Sequence, residues 1–79
     1  MSMSKRSYTI VLDPWSDGRG YTVTVPALPG CVTQGRTLAE AKERAKEAIQ
    51  CHVEGLAMAG LPIPEERRHP SLDTVDLAA

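Results

Sequence analysis

Phenylalanine is missing from this chain of 79 residues, which has one tryptophan and two tyrosines. Large core pieces are therefore scarce, and a domain this short buries a small share of its surface. One domain is the most the length allows. Such cores are commonly completed by self-association, so a homo-oligomer is expected, most simply a dimer built through sheet surface or sheet edges. Cysteine is also sparse: Cys31 and Cys51 stand alone, in no CxxC spacing. A zinc site from Cys31, Cys51, His52 and His69 fails on spacing. Only Cys51 and His52 are close, and adjacent helical residues diverge by about 100°. Long apolar runs are absent as well. No stretch reaches the roughly 18 apolar residues of a membrane span, and no apolar run of signal length follows MSMSKRS, so a cytoplasmic protein is expected. A formal net charge of −1 gives no general field for nucleic acid or membrane.

What is present is well patterned. Residues 1–6 are polar and read as a disordered start, leaving 7–79 as the single domain. SYTIVLD (7–13) and YTVTV (21–25) alternate as strands, with PWSDGRG between them as a turn. Tyr8, Ile10, Leu12, Tyr21, Val23 and Val25 fall on one face; Thr9, Val11, Thr22 and Thr24 fall on the other. CVTQGRT (31–37) reads as a third strand. From Leu38 to about Ala59, positions 38, 41, 45, 48, 49, 52, 53 and 56 form a helical stripe, with Glu40, Glu43, Glu47, Gln50 and Glu54 opposite. Thr37 and Glu40 have capping-box spacing, and Gly60 with Pro62 supplies the stop. LPIPEERRHP (61–70) reads as a linker, and LDTVDLA (72–78) as a fourth strand. The expected architecture is α+β, β-β-β-α-β. One helix covers a four-stranded mixed sheet of order 3-2-1-4, its last strand parallel to the first after a right-handed crossover. A ferredoxin-like arrangement missing one helix is the alternative.

VPALPGCVTQG (25–35) is the most individual stretch. Pro26 lacks a ladder donor and suits a strand end. Pro29-Gly30 fits a tight turn, with Gly at the position of positive φ. Cys31 then restarts the chain, and Gly35 permits a close backbone approach just before the helix.

These residues resemble the HicB-like antitoxin domain. The ordered set is Gly20-Tyr21, Pro26, Leu28 to Cys31, Thr33, Gly35, Thr37 and Glu40-Ala41, followed by GLPIPEE from Gly60 to Glu66. The likeness spans roughly Tyr8 to Leu77. It implies a partly degraded ribonuclease-H-like fold. It also implies a non-enzymatic role, neutralising a HicA-type, mRNA-cleaving toxin. Many family members carry a C-terminal DNA-binding domain, which a chain ending at Ala79 is expected to lack. With Trp15, the motif residues Tyr21, Pro26, Pro29, Gly30, Cys31, Gly35 and Glu40 form the candidate partner-binding or family-motif set.

Other chemistry is weighed on the residues. Metal-dependent nuclease action would need carboxylates converging on two ions. Asp13 with Asp73 or Asp76 could contribute, but the helix acids lie on the solvent side. His52 has no identifiable acid or nucleophile partner. Lys5-Arg6 and Arg67-Arg68-His69 are too short to hold RNA at physiological salt. Trp15 is either a lid on the core or an exposed anchor for a partner. No cofactor is implied. The readings set beside the antitoxin are a stand-alone oligomeric binding module with another partner, and a metal-dependent nuclease.

Overall fold

A computed structural model describes residues 6–66 and 70–78. The elements run β1 (Val11–Pro14), β2 (Tyr21–Thr24), β3 (Val32–Gly35) and α1 (Leu38–Met58). The sheet is antiparallel throughout, in the order β1-β2-β3. The α+β class and the central β2 agree with the sequence reading.

Each strand has four residues, fewer than the alternation suggests. The register explains the early stop of the first pair. Val11 faces Thr24, so one more pair of steps would set Thr9 against Pro26. Pro26 has no N–H to give. Thr9 turns elsewhere: its N–H and its hydroxyl each donate to the Glu66 carboxylate at 2.6 Å. The Tyr8 hydroxyl donates to the Pro64 carbonyl, also at 2.6 Å. The segment after the helix is thereby clamped to the entrance of β1.

The expected fourth strand is not formed in the described residues. Residues 70–78 are irregular and exposed. Their apolar positions, Leu72, Val75 and Leu77, do not share one strand face. Asp73 Oδ1 also accepts from the Thr74 N–H at 2.8 Å, a local bond that competes with a ladder. The described sheet therefore has three strands and is not mixed. The readings placed on residues 1–5 and on Arg67-Arg68-His69 lie outside the described residues.

The corner at 25–31 consists of two turns in succession. Leu28 N–H donates to the Val25 carbonyl, with Pro26 second in the turn, and Cys31 N–H donates to the Leu28 carbonyl across Pro29-Gly30. Gly30 has φ +85°, as a type II turn requires. Val25 N–H then reaches the Cys31 carbonyl and closes the loop. This geometry drives Leu28 inward to 0 % exposure.

The core is Val23, Val25, Leu28, Cys31, Ala41 and Ala45. It sits between the predicted sheet face and the predicted helix stripe, with Ile10, Leu12 and Tyr21 flanking one half and Tyr8, Ala48, Ile49 and Val53 the other. Leu38 departs from the stripe: at the first helical position it is half exposed. At the helix start, Thr37 Oγ1 accepts from Glu40 N–H at 3.0 Å. Glu40 reaches back to Arg36 N–H rather than to the cap residue's own, so the box is wider by one residue. At the other end Gly60, φ +70°, donates to Ala57 and Leu61 donates to Leu56, a Schellman motif.

The two thiols are both free but unequal. Cys31 is buried in the core, and Cys51 is exposed on the helix. Burial first, and then the neighbouring Cys51, push the Cys31 thiol above its ordinary value. Since the thiolate is the nucleophile, Cys51 should take up iodoacetamide at neutral pH while Cys31 reacts only after unfolding. Mass spectrometry after limited alkylation checks this; equal labelling of both would mean that the corner opens readily.

Candidate partner-binding surface

The β1–β2 hairpin turns through Trp15-Ser16-Asp17-Gly18, with Gly18 N–H donating to Trp15 O and Trp15 N–H to Gly20 O. Gly18 has φ +72°, the positive-φ residue that lets a type I turn rejoin a twisted ladder. Asp17 steadies the tip by accepting from Arg19 N–H at 3.0 Å. Trp15 is then folded back. Its indole N–H donates to Thr22 Oγ1 at 2.9 Å, across the sheet face opposite the helix. The ring lies close over Gly20, where a Cβ would stand 2.9 Å from Trp15 Cζ3 and 2.8 Å from the Gly35 carbonyl oxygen. Trp15 is half-buried, so it is a brace and an accessible surface together rather than a core lid.

The register carries this tip to the helix start. Pro14 faces Tyr21, and Tyr21 faces Gly35. Arg36 therefore emerges beside Gly20 and the tip. A cleft of about 580 Å³ opens there, lined by Trp15, Arg19, Gln34, Gly35, Arg36, Glu40 and Arg44. Three arginines, from the hairpin loop, the β3–α1 connection and the helix, line it together with one tryptophan and one glutamate. Arg19 is 4.0 Å from Asp17, and both side chains are largely solvated, so that pair leaves Arg19 free to exchange partners. Guanidinium forks suit carboxylate or phosphate, and an indole beside them supplies apolar contact.

The sequence-derived site residues divide into two groups. Trp15, Gly35 and Glu40 meet at this cleft. Tyr21 points to the other side of the sheet and packs against Val23, Ala41 and Ala45. Pro26, Pro29, Gly30 and Cys31 build the corner at the far end of β2 and do not reach the cleft. The arginines were missed by reading local charge runs. Their signal is the register: Gly20 and Arg36 are neighbours only once the three strands are paired. The acids weighed for metal chemistry are dispersed. Asp13, Glu43, Glu47, Glu54, Asp73 and Asp76 are all exposed, and among the described residues no three His, Cys, Asp or Glu gather in a way that could hold a metal ion. His52 is half-buried on the helix stripe. No helix of the described residues is long and apolar enough to cross a membrane.

Comparison with known proteins places this geometry in context. Residues 8–75 match the family described as the HicB-like antitoxin of bacterial toxin-antitoxin systems. A UPF0150 protein of Thermoplasma acidophilum is 46 % identical over 59 residues, covering 75 % of this chain and 84 % of that one. A UPF0150 protein of Synechocystis is 40 % identical over 60 residues, 76 % of this chain and 75 % of the relative. An uncharacterised 14.9 kDa protein of Haemophilus phage HP1 is 49 % identical over 49 residues, 62 % of this chain but 35 % of the phage protein.

Proposed function

Because the chain belongs to the HicB-like antitoxin family of bacterial toxin–antitoxin systems, we propose that it acts by binding, not catalysis, and covers the active site of a HicA-type mRNA-cleaving toxin. The observation that carries this reading is the match itself, which runs from the entrance of β1 into the segment after the helix. The cleft at the hairpin tip is the docking surface that best suits such a role. Tryptophan and arginine are the residues most often found to dominate binding energy, and here one Trp and three Arg converge on a concave surface. The toxin would bring carboxylates to the arginines and an apolar group to the Trp15 ring. The protein would also self-associate, and a fourth strand beside β1 would complete the ribonuclease-H-like sheet that the family likeness implies.

The test is calorimetric titration against the product of the neighbouring short reading frame. Trp15→Ala should weaken binding at least ten-fold, roughly 1.4 kcal/mol or more. Arg36→Glu with Arg44→Glu should do likewise while the thermal melt is kept, since both side chains are exposed. Full affinity in both variants would move the docking surface elsewhere. A neighbouring product that neither binds nor is toxic would favour a stand-alone module with a different partner.

A further inference from the structure

We propose that residues 70–78 form an arm that docks on a second copy of this chain, along the open edge of β1 and over the groove between β1 and α1. This deepens the self-association proposed above and does not depend on the toxin. Leu72, Val75 and Leu77 are 85, 86 and 90 % exposed, three large apolar side chains within six residues and with no cover. On a small domain with scarce apolar material, such a segment reads as half of an interface.

The other half is present. A groove of about 430 Å³ lies between the entrance of β1 and the helix, floored by Tyr8, Ile10, Ala45, Ile49 and Val53. Among the described residues, its charged lining residues are Arg6, Lys42 and Lys46, all cations. The charged side chains of the arm are Asp73 and Asp76, both anions. Apolar floor and basic rim thus match apolar-acidic arm. The groove residues Tyr8 and Ile10 lead directly into β1, the outer strand of the sheet among the described residues. Strand addition there would satisfy outward backbone groups of β1 while laying apolar side chains over the floor.

The second copy, rather than the same chain, is the occupant. In the single chain the groove is open and the arm is not in it. The exit from the helix is fastened at the entrance of β1, with Pro64 bonded to the groove residue Tyr8 and Glu66 to Thr9. Reciprocal exchange about a two-fold axis covers both arms and both grooves at once.

Light scattering and sedimentation on the full chain at tens of micromolar test this. The parent should show the mass of two chains. Val75→Asp with Leu77→Asp should give one chain, as should Lys42→Glu with Lys46→Glu. These residues are exposed, so the circular dichroism spectrum should not change. Combining Lys42→Glu and Lys46→Glu with Asp73→Lys and Asp76→Lys should restore the dimer. A Cys51→Ser chain carrying Gln50→Cys and Leu77→Cys should give a disulfide-linked dimer on a non-reducing gel. A cross-linked monomer would mean the arm seats on its own chain, and overturns the exchange. A dimer indifferent to all these changes would also overturn it, while leaving self-association through another surface standing. A parent of one-chain mass would sink both.

Discussion

Replacing Leu28 by alanine should cost about 2–5 kcal/mol, the range for deleting a fully buried leucine side chain. For a domain of this size that is a large part of the total, which for folded proteins is about 5–15 kcal/mol. Leu28 is one of the largest side chains here with no exposure, and it packs with Val25 and Cys31. No phenylalanine is available elsewhere to carry the core. The gap cannot collapse easily, because the backbone around it is fixed by one hydrogen bond in each of the two turns and a third that closes the loop. Urea denaturation followed by circular dichroism measures the loss. A change below about 1 kcal/mol would mean that the corner relaxes into the space, contrary to its bonding.

Gly35→Ala should be nearly as damaging, for the opposite reason. A Cβ at Gly35 would lie 2.5 Å from both the nitrogen and the Cα of Ala41. Those are backbone atoms of the first helical turn and cannot swing aside as a side chain would. The helix must lift from the sheet, at a cost of about 1–3 kcal/mol or more for overpacking. The displacement would also widen the arginine cleft, since Gly35 and Glu40 both line it. Gly55→Ala is the matched control. It lies in the helix with nothing within 4 Å of the added Cβ, and should gain about 0.5–1 kcal/mol from helix propensity. Thermal melts of both proteins separate the cases: a Gly35 variant that melts with the parent would mean the strand–helix contact is looser than its geometry.

The contrast between these two glycines shows what the sequence could reveal. Gly35 stands in a local pattern that points to close approach, and Pro29-Gly30 encodes its turn within four residues. The hairpin, the helix start at Thr37 and the stop at Gly60 are equally local, and each is found where the residue chemistry puts it. The helix stripe and the sheet face were legible because periods of 3.6 and 2 survive in any context. What could not be read depends on register and distance. The meeting of Arg19, Arg36 and Arg44 needs all three strands paired first. The short β1 follows from Pro26 lying opposite Thr9, which no single segment discloses. The fourth strand was read from alternation alone, and alternation does not say whether an edge is available in the same chain. Leu38 matches the stripe in spacing but, as the first helical residue, stays half exposed.

The clamp at the entrance of β1 bears on the order in which the chain assembles. Thr9 and Glu66 are 57 positions apart, and Tyr8 and Pro64 are 56. The hairpin and the double turn close loops of a few residues, which is fast and costs little chain entropy. The helix needs no closure beyond its own first turn. The Tyr8–Pro64 and Thr9–Glu66 bonds come after these, once the sheet and helix have drawn the two ends together. By the same logic they are first to part when the native chain breathes. The domain is thus a locally nucleated body with a latch near its ends, and parting the latch releases Tyr8, a floor residue of the groove beside β1, without disturbing the corner that Leu28 holds.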